Sequence, residues 1–391
     1  MATVRKREGK TGTSYQIRAS CGYDSVGKQI IRSETWRPEP GMTPAQIKRE
    51  LQRRIVALEC KETTKSGAVK FQDFAEEWFK EVAERTLKPK TLDNLRHQSV
   101  RVYQGIGHIR LDKLTALHVQ SLINNLEEEG INQHTGGKLA PGTVKGYFHF
   151  ISTVLSYAVK IGMLASNPCS RVTLPAAQHK EKEVYTLQEA QAFLDSLQGA
   201  PTVWRVFFTL AIYGGFRRGE LLGLEWPDID LEAGTISIRR ATNYTKSKGV
   251  YTDTPKTTGS QRTIKAPVEV TTLLRAWRAE QAQYRISWGA QWQAGNRVIT
   301  SDMGKAINPS SPGIWLQRHC KRTGQRCLGI HAFRHLNASL LINSGADVRT
   351  VSALLGHSNT TTTLNLYSHS FAEAQARASE AVADLLQAKA K

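Results

Sequence analysis

Four short segments of the chain hold residues whose types could act together on an anion: Gly215-Phe-Arg-Arg-Gly-Glu220, Pro255-Lys-Thr-Thr-Gly-Ser-Gln-Arg-Thr263, His331-Ala-Phe-Arg-His335, and Leu355-Gly-His-Ser358 followed by Tyr367. A guanidinium is planar and always charged, and it holds paired oxygens through charge-assisted hydrogen bonds. A tyrosine hydroxyl, with an ordinary pKa of about 10, attacks only if its proton is removed or strong positive charge surrounds it. Taken singly, each segment has a plainer reading. Arg217 and Arg218 would be a solvated basic turn, Lys256 an exposed turn lysine and His331 with Arg334 a surface pair. Leu355-Gly-His would be a helix C-cap with an incidental histidine, and Tyr367 a half-buried aromatic.

Read together, the segments resemble the tyrosine recombinases. In that family an Arg early in the domain, a Lys in a β-turn, a His-x-x-Arg pair, a further His or Trp and a Tyr nucleophile converge on one DNA phosphate, and the order here is the same. Arg334 to His357 is 23 residues and His357 to Tyr367 is 10, both similar to the family's gaps. Attack on a phosphodiester builds negative charge on the two non-bridging oxygens, a charge that Arg217 and Arg334 suit as a clamp. The resemblance implies that Tyr367 is the nucleophile and that His331 and the cationic surroundings help remove its proton. It further implies that Lys256 protonates the departing 5′-oxygen from a mobile β-turn and that His357 bonds a phosphate oxygen. Arg217 is preferred to Arg218 because the family pattern places the arginine directly after Gly-Leu or a similar pair, here Gly215-Phe216. His335 is read as supporting the His-x-x-Arg pair from behind. Glu220 and Asp228 resemble positions that brace the first arginine and are not read as catalytic. Nothing in this set calls for a metal ion or another cofactor.

The composition agrees with a DNA partner. There are 53 Lys and Arg against 34 Asp and Glu, a formal charge of +19, which calls for a polyanion or a membrane surface. The longest apolar stretches, near 203–213 and 336–342, fall short of the roughly 20 residues that cross a bilayer. The N-terminal Met1-Ala-Thr-Val-Arg-Lys-Arg has no apolar run behind it, so neither a secretory signal nor an anchor is expected, and a cytoplasmic, nucleoid-associated protein is. The five cysteines are scattered and form no C-x-x-C pair, which argues for reduced thiols. Cys320, Cys327 and His331 could in principle share a metal, but zinc ligands normally come as closely spaced pairs.

The elements that must position these residues are legible in outline. Residues 1–70 hold 15 Lys and Arg against 7 Asp and Glu, a net +8. In this segment Tyr15-Gln-Ile-Arg-Ala alternates, Asp24-Ser-Val-Gly27 supplies a turn, and Lys28-Gln-Ile-Ile-Arg-Ser-Glu-Thr-Trp36 resumes as a second strand. Thr43-Pro-Ala-Gln46 then offers a capping box ahead of helically spaced Ile47, Leu51, Ile55 and Leu58. This module, placed at 1–65, resembles the arm-binding domain of phage and conjugative-transposon integrases, where a three-stranded sheet enters the major groove. Residues 68–172 predict an all-α domain, with Phe71, Phe74, Ala75, Trp78, Phe79 and Val82 on one face and further helices over 91–103, 115–126 and 143–160; it resembles the family's core-binding domain. Residues 184–391 predict a mainly α catalytic domain. It opens with helices over 187–197 and 201–213, continues with strands over 235–243, 250–253 and 262–265 forming a small antiparallel sheet, and returns to helices from 268. The segment 371–386 is a strong helix former, and the resemblance implies that it docks on a neighbouring protomer.

The reading is a multidomain α+β integrase that cuts and rejoins duplex DNA through a 3′-phosphotyrosine, with self-association into a synaptic tetramer on core and arm attachment sites. It would integrate and excise a mobile element, with an excisionase or a host DNA-bending protein as further partners the resemblance leaves room for. Two rivals use the same residues: a type IB topoisomerase, which relaxes DNA as a monomer, and a DNA-binding regulator that keeps the fold without catalysis.

Overall fold

The computed structural model describes residues 3–9, 12–23, 29–39, 41–60, 69–133, 135–176, 183–253, 261–293, 295–357, 359–361, 363–364, 367 and 379. The chain divides into two compact units, Met1–Gln178 and His179–Lys391. The Lys256 turn and, apart from Ser379, the predicted helix over 371–386 lie outside the described residues.

The first unit begins with three antiparallel strands, β1 (Thr3–Gly9), β2 (Gly12–Tyr23) and β3 (Gln29–Trp36), ordered β1-β2-β3. Alternation in the sequence points to two of them. β1 escapes that reading because Thr3-Val-Arg-Lys-Arg-Glu-Gly9 has a single large apolar residue. Val4 pairs with Ile17 and Ile17 with Glu34, so these three share one face. Ile17 is fully buried there against Leu51 and Ile55 of helix α1 (Pro44–Cys60). Side chains alternate across a strand, which puts Thr3, Arg5, Gln16, Arg18, Ser33 and Thr35 on the opposite face. α1 starts with the predicted capping box: the Thr43 amide donates to Gln46 Oε1 at 2.8 Å and the Gln46 amide to Thr43 Oγ1 at 3.4 Å.

The helical part of this unit follows its periodicity. α2 (Phe71–Trp78) runs through a π turn, Phe79–Ala83, into α3 (Glu84–Thr86), followed by α4 (Pro89–Val102), α5 (Ala116–Leu126) and α6 (Pro141–Lys160). Phe150 of α6 lies at the centre, its ring stacked on Phe79 with centroids 5.6 Å apart and edge-on to Phe71 at 6.5 Å.

The second unit opens with α7 (Leu187–Ser196), α8 (Thr202–Gly214) and α9 (Arg218–Gly223). Its strands are β4 (Ile229–Asp230), β5 (Thr235–Ile238), β6 (Ala241–Thr245), β7 (Gly249–Asp253) and β8 (Arg262–Lys265). α10 (Val268–Trp288), α11 (Ser311–Thr323), α12 (Ile330–Asn343) and α13 (Val348–Leu355) follow. The strand predicted over 235–243 is in fact two, and the single small sheet becomes a three-stranded sheet β4-β5-β8 and a two-stranded β6-β7. The break falls at Arg239-Arg240. There Arg240 Nη1 reaches Asp228 Oδ2 and Glu225 Oε2, both at 2.7 Å, and this pinned side chain stands where one ladder ends and the next begins. Phe207, Phe208, Phe216, Phe333, Leu274 and Trp277 fill the core between helices and strands.

Phe150→Ala should cost the helical core about 3 to 5 kcal/mol, because a buried aromatic leaves a cavity its neighbours only partly fill. Chemical denaturation followed by tryptophan fluorescence should show an earlier transition; an unchanged midpoint would contradict the central place given to this ring.

Candidate active site

Helix α13 ends on Gly356, which adopts a left-handed φ of 64°. The Gly356 and His357 amides turn back to the carbonyls of Ala353 and Ser352, each at 3.0 Å. Among the described residues no backbone amide is paired with the next three carbonyls, which stand at the negative end of the helix dipole. Three arginines from three other elements take them in sequence order. Arg262 Nε donates to the Leu354 oxygen at 2.6 Å, Arg334 Nη2 to that of Leu355 at 2.5 Å, and Arg217 Nη2 to that of Gly356 at 3.1 Å.

Each arginine has a second anchor. α8 ends on Gly215 at φ 56°, where a Cβ would lie 2.6 Å from Asn337 Oδ1, so the left-handed turn and the close approach both require glycine. The Gly215 carbonyl accepts from Arg334 Nη1 at 2.8 Å. Two residues on, Arg217 caps α9: its amide donates to Glu220 Oε2 at 3.0 Å and its Nη1 to Oε1 at 2.8 Å. Arg262, on β8, grips the same carboxylate, Nη2 to Oε2 at 2.8 Å and Nη1 to Oε1 at 3.3 Å. Burial pushes the Glu220 carboxyl up, but Arg262 and then Arg217 outweigh it and hold it below its ordinary value. Arg218 is exposed, and Arg217 is the one turned into the cluster. Asp228, read from the sequence as a second brace for this arginine, binds Arg240 instead.

Arg334 is only 2 % exposed. Burial, then the Arg217 charge, pulls its guanidinium down to about 9, so it stays a cation at neutral pH. Among the described residues, three guanidiniums meet one carboxylate in this cluster, an excess of two positive charges. Such a site favours an incoming anion, and the 37 % exposed side chain of Arg217 is its open side. His357 lies in the same field. Burial first, and then Arg334, Arg217, Arg262 and His331, lower its pKa to about 4, so the ring is neutral. Its Nδ1 meets Thr363 Oγ1 at 2.9 Å, and that hydroxyl donates to Ser352 Oγ at 3.0 Å, fixing the ring beside the α13 terminus.

Tyr367 is 4 % exposed and packs with Ala338, Ile342, Val351 and Leu355. Its hydroxyl meets His335 Nδ1 at 2.8 Å, and the His331 ring stands edge-on to His335 with centroids 4.9 Å apart. Sequence reasoning gave the hydroxyl to His331 and set His335 behind; here His335 is the direct partner and His331 stands one ring further out. The missed signal is the i, i+4 spacing, which puts both rings on one face of α12. Arg262 was also missed, although it sits inside a quoted motif. The geometry thus gathers Arg217, Arg334, His331, His357 and Tyr367 around one cationic cluster. Lys256 lies outside the described residues. Among those described, no group of three His, Cys, Asp or Glu is placed to hold a metal.

Residues 183–374 match the profile of the Phage integrase family, and residues 70–126 match that of the Phage integrase, N-terminal SAM-like domain. The chain belongs to the tyrosine recombinases. It is 26 % identical over 390 residues to a tyrosine recombinase XerC-like protein of Caldanaerobacter subterraneus subsp. tengcongensis, covering 95 % of this chain and 96 % of that one. The ICEBs1 integrase of Bacillus subtilis is 24 % identical over 379 residues, with 95 % and 97 % covered. In fold, this tyrosine recombinase is similar to the Tn1549 transposon integrase in complex with transposon right end DNA, with TM-score 0.67 and 18 % identity over 81 % of this chain and 100 % of that one. It is also similar to the lambda integrase tetramer bound to a Holliday junction, with TM-score 0.58 and 17 % identity over 91 % and 96 %.

Burial pushes the Tyr367 phenol up to about 12, with Arg334 pulling the other way. The native protein minus Tyr367→Phe should therefore give an ultraviolet difference titration that stays flat through the ordinary value of 10 and rises only towards 12. Because the raised group stays neutral in the folded protein while the unfolded chain ionises, its contribution to stability should be lost as pH rises across that window. An ionisation near 10 would contradict the buried hydroxyl.

Proposed function

We propose that this tyrosine recombinase is an integrase that cleaves duplex DNA by attack of Tyr367 on a phosphodiester. The new bond joins the tyrosine oxygen to phosphorus, the bond to the 5′-oxygen breaks, and a 3′-phosphotyrosine and a 5′-hydroxyl result. Attack by the partner strand's 5′-hydroxyl reverses the step and reseals the exchanged strand. The phosphodiester energy stays in the covalent link, so no nucleotide cofactor is needed. The observation that carries this reading is the cluster of three arginines sharing one carboxylate around the α13 terminus, beside His357 and Tyr367. Arg217 and Arg334 hold the non-bridging oxygens, His357 bonds one of them, His331 assists at the tyrosine, and Lys256 gives the leaving oxygen its proton. Because the hydroxyl is buried on His335, Tyr367 has to leave that contact to reach a phosphate.

In this proposal residues 1–65 bind arm sites, 68–172 bind the core site together with the catalytic domain, 184–391, and the segment 371–386 docks on a neighbouring protomer. The lambda integrase tetramer on a Holliday junction supports assembly into a synaptic tetramer. An excisionase or a host DNA-bending protein would set direction. No helix among the described residues is long and apolar enough to cross a membrane, and the proposed place of work is the cytoplasm, on the nucleoid. Recombinant junctions formed between two specific sites, as opposed to relaxation of one duplex, separate this reading from a topoisomerase.

Tyr367→Phe should keep core-site binding and abolish the covalent complex on a nicked suicide duplex, read on a denaturing gel; an adduct that persists would mean another nucleophile. Arg217→Ala and Arg334→Ala should each slow adduct formation by about 10² or more while changing affinity less, since their contribution grows with charge in the transition state. Near-normal cleavage by either variant would remove that residue from the clamp.

The register of the N-terminal sheet makes the arm-site proposal specific, because Arg5, Gln16 and Thr35 lie in one cross-strand row and Thr3, Arg18 and Ser33 in another. Arg5→Ala and Arg18→Ala in the full chain should each lower preference for an arm duplex over random DNA by about 1 to 3 kcal/mol if they read bases, leaving core cleavage intact. Equal loss on all sequences that simply tracks salt would make this face a generic basic anchor.

A further inference from the structure

All three guanidinium nitrogens of Arg262 are bonded to groups of the protein. Its side chain is 7 % exposed, against 37 % for Arg217. Nε is bonded to the Leu354 carbonyl and both terminal nitrogens to the Glu220 carboxylate, and the guanidinium lies 5.6 Å from the centre of the Phe216 ring. It also abuts Gly356, where a Cβ would come within 2.9 Å of Nη1. Those bonds are made inside the protein, to the two elements that carry Arg217 and His357. β8 meanwhile leads directly out of the segment that bears Lys256.

We propose that Arg262 is a positioning residue for strand cleavage: by holding Glu220 and the end of α13 together, it sets where Arg217 points and keeps part of the Arg217 charge available to the phosphate. The electrostatic side follows from counting. With Arg262 present, the Glu220 carboxylate is shared between two guanidiniums. Without it, Glu220 neutralises Arg217 alone, the cluster's net charge falls from two positive charges to one, and the Leu354 carbonyl loses its partner. An arginine suits this post where a lysine does not, because the carboxylate is held by two nitrogens of one planar fork. The effect reaches the DNA only through Arg217 and His357, and this distinguishes it from a third clamp residue. The inference rests on reading the cluster as a phosphate clamp.

The test uses the full chain in five forms: native, Arg262→Met, Arg262→Lys, Arg217→Ala, and Arg217→Ala with Arg262→Met. Single-turnover adduct formation on a nicked suicide duplex is measured beside core-site affinity and thermal unfolding. Arg262→Met should form the adduct about 10-fold or more slowly with little change in affinity, and Arg262→Lys should recover only part of the rate. In the Arg217→Ala background the same change should cost far less, since residues that act through one another are not additive. Should Arg262→Met fail to fold, Arg262→Gln replaces it in the same comparison. A native-like rate in the Met variant, or a full penalty multiplied on top of Arg217→Ala, would overturn the proposal. A second readout does not depend on cleavage: the His357 ring, followed by NMR in the free protein, should titrate above its native value of about 4 once the Arg262 charge is gone. If the native chain forms no adduct, the recombinase reading fails by itself. The placement of the Arg262 charge beside His357 at the α13 terminus is then decided by that titration, upheld by an upward shift and refuted by none, while its role in cleavage falls with the recombinase reading.

Discussion

Three consecutive carbonyl oxygens at the end of α13 each accept a hydrogen bond from a different arginine, and the catalytic unit is organised around that terminus. Guanidiniums repel one another, so gathering them in a largely buried place is unfavourable unless acceptors offset the charge without cancelling it. Carbonyls do this better than carboxylates would, because they carry partial charges and leave the arginines cationic. The Glu220 carboxylate, the one full negative charge bonded to these arginines among the described residues, is shared, so it orders two of them while neutralising the equivalent of one. The unmet positive charge is what a phosphodiester would satisfy, and its attraction would be strongest as the attacked phosphate gains negative charge.

The same terminus places the other residues of the proposed site. Gly356 turns the chain so that His357 follows at once, and the Thr363 and Ser352 hydroxyls hold its ring. Tyr367 packs on α12 and α13 through Ala338, Ile342, Val351 and Leu355, with its hydroxyl on His335. In this arrangement the arginines are assembled and the tyrosine proposed as nucleophile is held back, its phenol made harder to ionise by burial. In the proposed function, readiness of the clamp and release of the tyrosine are therefore separate requirements.

Much of this is legible in the sequence, for physical reasons that differ by residue. Arg334, His357 and Tyr367 sit on compact local elements at short spacings, so their order alone brings them near one another. Helices such as α6 and α8 announce themselves through apolar periodicity. The rest depends on long-range partners. Nothing local separates Arg262 from an ordinary strand arginine, because its meaning comes from Glu220 and Leu354, 42 and 92 residues away in the chain. His335 looks like an accessory to its motif until Tyr367 folds back onto α12. β1 carries too few apolar residues to signal a strand. The break between β5 and β6 is anchored by Arg240 on Asp228 and Glu225, a tertiary contact that alternation cannot report.

In the proposed function this arginine cluster serves attack by one tyrosine on one DNA phosphate. The most direct measurement is to trap the native protein on a nicked suicide duplex, digest the adduct, and locate the attached nucleotide by mass spectrometry. A nucleotide joined through its 3′-phosphate to the peptide that contains Tyr367 is the expected product. A nucleotide on any other residue, or a linkage through a 5′-phosphate, would contradict it.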